Sequence, residues 1–278
     1  MKKIQIKRIL VALDASTVDR NILQAGIALA TRFNARLDAL FIEDIDLLHV
    51  AELPFVREVV YGAAVGRSIN VAGMERSIQT QTARLRKLVE SIAQQNQIEI
   101  ALSVLRGNVA SMLCDASRQT DLLIIGKNTQ LLEKSQKIGS ITRFVLSTAR
   151  CNVAVLQFGS NIERPVVVSF TGSEASQHAL SLAIELAHED HNQLIVLLPA
   201  VEDSKYQQLS KAVSESVDDQ SLNVSLIRLT NNTAEQILQV VHRHQGRLLL
   251  LESGSTFLSE TQKQTLITQA NVPVILLH

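Results

Sequence analysis

The chain has 278 residues, with 27 Lys+Arg against 27 Asp+Glu, a length that suggests about two domains and a balance that excludes a chain-wide basic field for DNA or RNA. Aromatic residues make up 3% and tryptophan is absent, so base-stacking platforms are scarce and the cores must be aliphatic. No apolar run approaches the roughly 18 residues that span a bilayer, the apolar stretch after the basic start stops at Asp14 without a cleavage-like site, and Cys114 and Cys151 form no CxxC pair; these features lead us to expect a cytoplasmic protein with reduced thiols that act as small hydrophobes.

Arg8–Leu13 reads as a short buried strand. Ser16 offers a helix N-cap with Asp19 three residues on, and Ile22, Ala25, Gly26, Leu29 and Phe33 recur at helical spacing. Arg36–Ile42 is the next strand. A long connection follows, from Asp44 to Ser77, which suits either a lid or docking surface or plain packing. Leu85, Leu88, Val89 and Ile92 form a helical stripe, Ile98–Leu105 a third strand, and Asn108 caps a helix through Ala116. Asp121–Ile125 is a fourth strand, Ser140–Ala149 a helix and Asn152–Phe158 a fifth strand.

The layout then repeats. A slide of about 157 residues places Ser16 on Ser173, Leu29-Ala30 on Leu186-Ala187 and Leu37 on Leu194. The ends also match, CNVAVLQF against NVPVILLH. Two similar α/β domains are expected, residues 1–159 and 160–278, joined near Gly159–Arg164. Strand and helix alternate throughout, which argues for parallel sheets covered by helices on both faces.

In such sheets ligands bind beyond the carboxyl ends of the strands. Asp14 ends the first strand and Gly126 the fourth. Gly139-Ser140 opens a helix, whose free N–H groups attract anions. Lys127, Lys134, Lys137 and Arg143 lie in or beside this loop, opposed by Glu133. The stretch suits either a polyphosphate cradle or a solvated loop. His188/His191 and His242/His244 lack further ligands and read as solvated faces. No G-x-S-x-G or Walker A motif is present.

LVALDAS, RGNVA after the third strand, and Gly126-x2-Thr129-x9-Gly139-Ser140 together resemble the universal stress protein family. The resemblance covers both halves. It implies two tandem Rossmann-like domains of the adenine nucleotide alpha hydrolase type, each a five-stranded parallel sheet of order 3-2-1-4-5. It implies ATP, with or without Mg2+, or another adenine nucleotide, in the first domain. Asp14 would meet the adenosine part, the Ile42 backbone adenine, and Gly107 the ribose or phosphate side. Gly126, Lys127, Gly139, Ser140 and Ile141 would hold phosphates. Thr129 departs from the family pattern, standing where its second glycine belongs. In the second half Thr171 replaces Asp14 and Glu252 replaces Gly126, so that domain is expected to have lost the ligand. The family pairs domains through fifth strands, which implies an intramolecular pseudo-dimer, with further dimerisation left open.

The functional expectation is a stress-response regulator acting through a protein partner. The alternatives are a nucleotide-free interaction module and an adenine-nucleotide-dependent enzyme. Slow hydrolysis or self-phosphorylation at Ser140 is conceivable, with no catalytic residue assigned.

Overall fold

The computed structural model describes residues 5–16, 19–46, 49, 71–127, 139–157, 165–188, 193–217, 222–254 and 257–278, with the backbone of 57–58 and 67–68. Thr129, Glu133, Lys134, Lys137, His191, the Gly159–Arg164 joint and most of the Asp44–Ser77 connection lie outside the described residues.

The first half runs β1 (Arg8–Leu13), α1 (Asp19–Phe33), β2 (Arg36–Asp44), a short antiparallel pair β3 (Arg57–Glu58) and β4 (Arg67–Ser68), α2 (Val71–Asn96), β5 (Ile100–Gly107), α3 (Val109–Ser117), β6 (Leu122–Gly126), α4 (Ser140–Thr148) and β7 (Asn152–Leu156). The second half runs β8 (Val166–Ser169), α5 (Glu174–Ala187), β9 (Gln193–Leu198), α6 (Asp203–Ser216), β10 (Asn223–Arg228), α7 (Ala234–Arg243), β11 (Leu248–Glu252), α8 (Glu260–Gln269) and β12 (Val274–Leu277).

The strands form one ten-stranded sheet in the order β10-β9-β8-β11-β12-β7-β6-β1-β2-β5. Each half therefore has the expected order 3-2-1-4-5, parallel within itself. The halves meet at the fifth strands. β12 pairs with β7 antiparallel, with Val274 opposite Val155, Ile275 opposite Ala154 and Leu276 opposite Val153. The strands are near-continuous aliphatic runs because helices cover both faces. Each face carries a cluster that crosses the seam. Ile9, Val11, Ala154, Val168 and Ile275 belong to one, and Leu10, Leu123, Val153, Leu249 and Leu276 to the other.

Local chemistry sets the element ends. Asn108 accepts the N–H of Ser111 and starts α3, as its sequence position suggests. β5 begins two residues later than its aliphatic run. Gln97 takes φ 53 and Ile98 still donates to Ala93 O at 3.1 Å, so the end of α2 consumes the start of that run. Gly26 presses α1 onto the sheet; a Cβ there would lie 2.7 Å from Val11 Cγ2 and 3.2 Å from Leu37 Cδ1. The seam is also crossed by polar contacts. Arg32 Nη2 donates to Glu185 O, and the His278 N–H donates to Asn152 Oδ1 at 3.2 Å.

Candidate functional site

A cavity of about 350 Å³ opens at the carboxyl edge of the first half, between the ends of β1, β2 and β6 and the start of α4. This is the switch point of the strand order, where the chain leaves β1 for β2 on one side and β6 on the other. Asp14, Ile42, Gly126, Ser140 and Ile141 all line it. Gly107, Lys127 and Gly139 are not among its lining residues. Glu43, Asp44, Ile78, Gln81 and Thr142 line it as well and carry no signal in the sequence reading.

The walls divide by chemistry. Ile22, Leu40, Ile42, Leu113, Ile125 and Val145 give an apolar lining. Carboxylates cluster at the β1–β2 side. Glu43 is held by Arg106 Nε at 2.9 Å and Thr82 Oγ1 at 3.1 Å, which compensates its charge. Asp44 Oδ1 accepts the Asp46 N–H at 3.0 Å. The opposite side is the N-terminus of α4. Gly139 is its cap, with φ −58 and ψ 151 and no side chain to offer the helix. The first N–H groups of α4 thus carry the partial positive charge of a helix end. Thr142 Oγ1 ties this turn to the Gly126 carbonyl at 3.0 Å, and the Gly139 N–H donates to Lys127 O at 3.4 Å, closing the loop base.

Asp14 sits in a carboxylate pair. Its Oδ1 accepts the Ser16 N–H at 3.0 Å, and its own N–H donates to Asp19 Oδ1 at 3.2 Å. Asp19 is fully buried, and its Oδ2 has no partner among the described residues. Burial first, and then the neighbouring Asp14 charge, push Asp19 from 3.8 up to about 7. The native state therefore favours the protonated form. The stability this contributes is complete below the ordinary value of 3.8 and is lost as pH rises through about 7. Asp19→Asn keeps an acceptor for the Asp14 N–H and cannot ionise. Relative to wild type it should gain on the order of 2–4 kcal/mol between about pH 5 and pH 8. Urea midpoints of both proteins at the two pH values check this. A wild-type-to-variant difference that stays constant with pH would contradict it.

Lys127 is turned away from the cavity. Its Nζ donates to Ala270 O at 2.9 Å and to Gln157 Oε1 at 3.4 Å, so the residue after Gly126 is fastened to the end of α8 in the other half. Burial lowers its amine from 10.5 to about 8. Gly107 packs under Met112, whose Sδ would lie 2.6 Å from an added Cβ. Cys151 is buried and its thiol is pushed up to about 11 by burial. Cys114 is only half-buried, 2.8 Å from Thr148 Oγ1. Among the described residues no group of three or more His, Cys, Asp or Glu could hold a metal ion, and no helix is long and apolar enough to cross a membrane.

Residues 5–157, more than half of the chain, match the model of the universal stress protein family. The chain belongs to that family. A universal stress protein from Archaeoglobus fulgidus DSM 4304 has the same fold over almost the whole length, with a TM-score of 0.70 at 13% identity, covering 97% of this chain and 95% of that one. A candidate universal stress protein from Pseudomonas aeruginosa UCBPP-PA14 matches with a TM-score of 0.64 at 12% identity, covering 98% and 93%. Both likenesses concern the fold.

Within this universal stress protein fold the second half treats the same place differently. Glu252 ends β11 where Gly126 ends β6, and it is 3% exposed. Its carboxylate accepts from Thr171 Oγ1 at 2.8 Å and from the Ser173 hydroxyl. Ser259 caps α8 with its own hydroxyl, which accepts the Gln262 N–H at 3.2 Å. At the strand end a carboxylate thus stands in place of the glycine, and at the helix start one N–H is taken by the Ser259 hydroxyl.

Proposed function

We propose that this universal stress protein binds an adenine nucleotide, ATP in the first instance, in the first half, and that binding there serves a regulatory rather than a metabolic role. The observation that carries the proposal is the one cavity lined together by Asp14, Ile42, Gly126, Ser140 and Ile141. Its parts suit the parts of a nucleotide. The apolar lining takes a purine ring. The Asp14 carboxylate accepts from ribose hydroxyls or the exocyclic amine. The uncapped N-terminus of α4 receives phosphate oxygens. Any Mg2+ would arrive on those phosphates.

The two halves are proposed to be domains 1–159 and 160–278, the second a structural companion. A carboxylate at Glu252 repels phosphate, and its hydroxyl partners leave no donors over. Calorimetric titration of the whole chain with ATP should therefore give one site per chain, with adenosine retaining part of the affinity. Asp14→Ala should weaken adenosine and ATP alike, by about tenfold each. Two sites per chain, or titration heats indifferent to Asp14, would refute the assignment.

A further inference from the structure

A second cleft, of about 960 Å³, lies at the amino edge of the second half, between the end of α7 and the end of α8. Its floor is aliphatic, from Leu238, Val241 and Val272, and its rim carries His242, Arg243 and Arg247. Among the described residues no carboxylate lines it. Arg243 and Arg247 are exposed, and among the described residues neither guanidinium has an ion-pair or hydrogen-bond partner. The carbonyls of Val240, Val241 and His242 already accept from His244, Gly246 and Gln245. Beyond Arg243 the surface continues into a smaller depression of about 260 Å³, lined by no carboxylate among the described residues, that reaches the starts of β9 and β10.

We propose that this tract is a docking site for an acidic peptide segment of a partner protein. Free guanidinium forks select carboxylates with geometric specificity. The amide side chains around them, Gln239 and Gln245 among them, satisfy a peptide backbone. The aliphatic floor takes the side chains between the acids. The continuation past Arg243 suits an extended chain rather than a compact anion. Nucleic acid fits less well, because among the described residues no aromatic side chain lines either depression.

The position ties the tract to the first half. The seam is antiparallel, so the amino ends of the second half's strands lie on the same edge of the sheet as the carboxyl ends of the first half's. Ala270, the acceptor of Lys127, lies between Gln269 and Asn271 of the cleft. A bound segment would sit against the anchor of the loop that follows Gly126. Docking itself does not depend on the nucleotide reading.

The test is fluorescence anisotropy of the whole chain, without nucleotide, using a short labelled peptide of alternating Glu and Leu. The controls are the same peptide with Gln for Glu and a single-stranded RNA of equal length. The acidic peptide should bind, weaken as salt is raised, and lose about tenfold or more in affinity in Arg243→Gln/Arg247→Gln. Arg243→Lys/Arg247→Lys should keep part of the affinity, and circular dichroism should show both variants folded. Failure of the acidic peptide to bind would overturn the proposal. So would equal binding of the Gln peptide, binding untouched by the Gln variant, or tighter binding of the RNA.

Discussion

Gly139→Asp should leave the protein folded and cost ATP roughly a hundredfold in affinity. The backbone at Gly139 has φ −58 and ψ 151, which any L-residue adopts. The position is a helix N-cap, where aspartate is among the preferred residues, so the variant should gain a few tenths to about 1 kcal/mol of stability. The same carboxylate competes with phosphate. It accepts the N–H groups of the first turn of α4 and places a negative charge where the anion would sit. Losing one or two charge-assisted hydrogen bonds corresponds to about 2–3 kcal/mol, or roughly a hundredfold. Adenosine, which lacks the phosphates, should bind nearly as before. Melting curves and titrations with both ligands check the result. Loss of adenosine and ATP binding in equal measure would mean the cavity had collapsed; undiminished ATP binding would remove α4 from the site.

Ala154→Asp should disrupt the seam between the halves. Ala154 is 0% exposed, faces Ile275 across the antiparallel pair and belongs to the cluster that runs through both halves. No cation stands opposite it in the seam register. An unpaired carboxylate there costs about 3–5 kcal/mol, a large part of the 5–15 kcal/mol typical of a native protein. The urea midpoint should fall steeply at neutral pH and recover in part on acidification, as the new carboxyl becomes neutral. Ala154→Val, which adds volume without charge, should cost about 1–3 kcal/mol and show no such recovery. Identical losses for both variants would mean that steric crowding, not charge, governs the seam.

The fold was legible because its signals are local. Aliphatic runs at Arg8–Leu13 and Asp121–Ile125, the Asn108 cap and the strand that closes each half are each contained in a few residues, and alternation of strands with helices leaves few topologies. The cavity was legible in part for the same reason. Asp14, Gly126 and Ser140 sit where strands end and helices begin, and in this architecture those places share one edge. Lys127 was not legible. Its sequence neighbours suggest a phosphate ligand, but its partner is Ala270, 143 residues away, and spacing says nothing of which way a long side chain turns. The sign of Glu252 could be read directly, whereas its hydroxyl partners Thr171 and Ser173 emerge only once β8 and β11 are adjacent. Asp19 looked like a capping acid for its own helix; it instead reaches back to the N–H of Asp14, and the fold buries it.

The antiparallel seam has a consequence for the order of events during synthesis. Every strand pairing inside the first half can form once β7 has left the ribosome, but the other partner of β7 is β12, far later in the chain. Val155 must wait for Val274, about 120 residues of translation, or roughly 6–24 s at ordinary elongation rates. Through that interval a finished five-stranded sheet presents an open edge of Val153, Ala154 and Val155, residues that are almost completely buried in the mature molecule. An aliphatic edge of this kind is a template for another chain's edge. Neighbouring nascent copies on one message offer each other the same strand, so crowded synthesis should favour β7-to-β7 pairing between copies, and slowing initiation should relieve it.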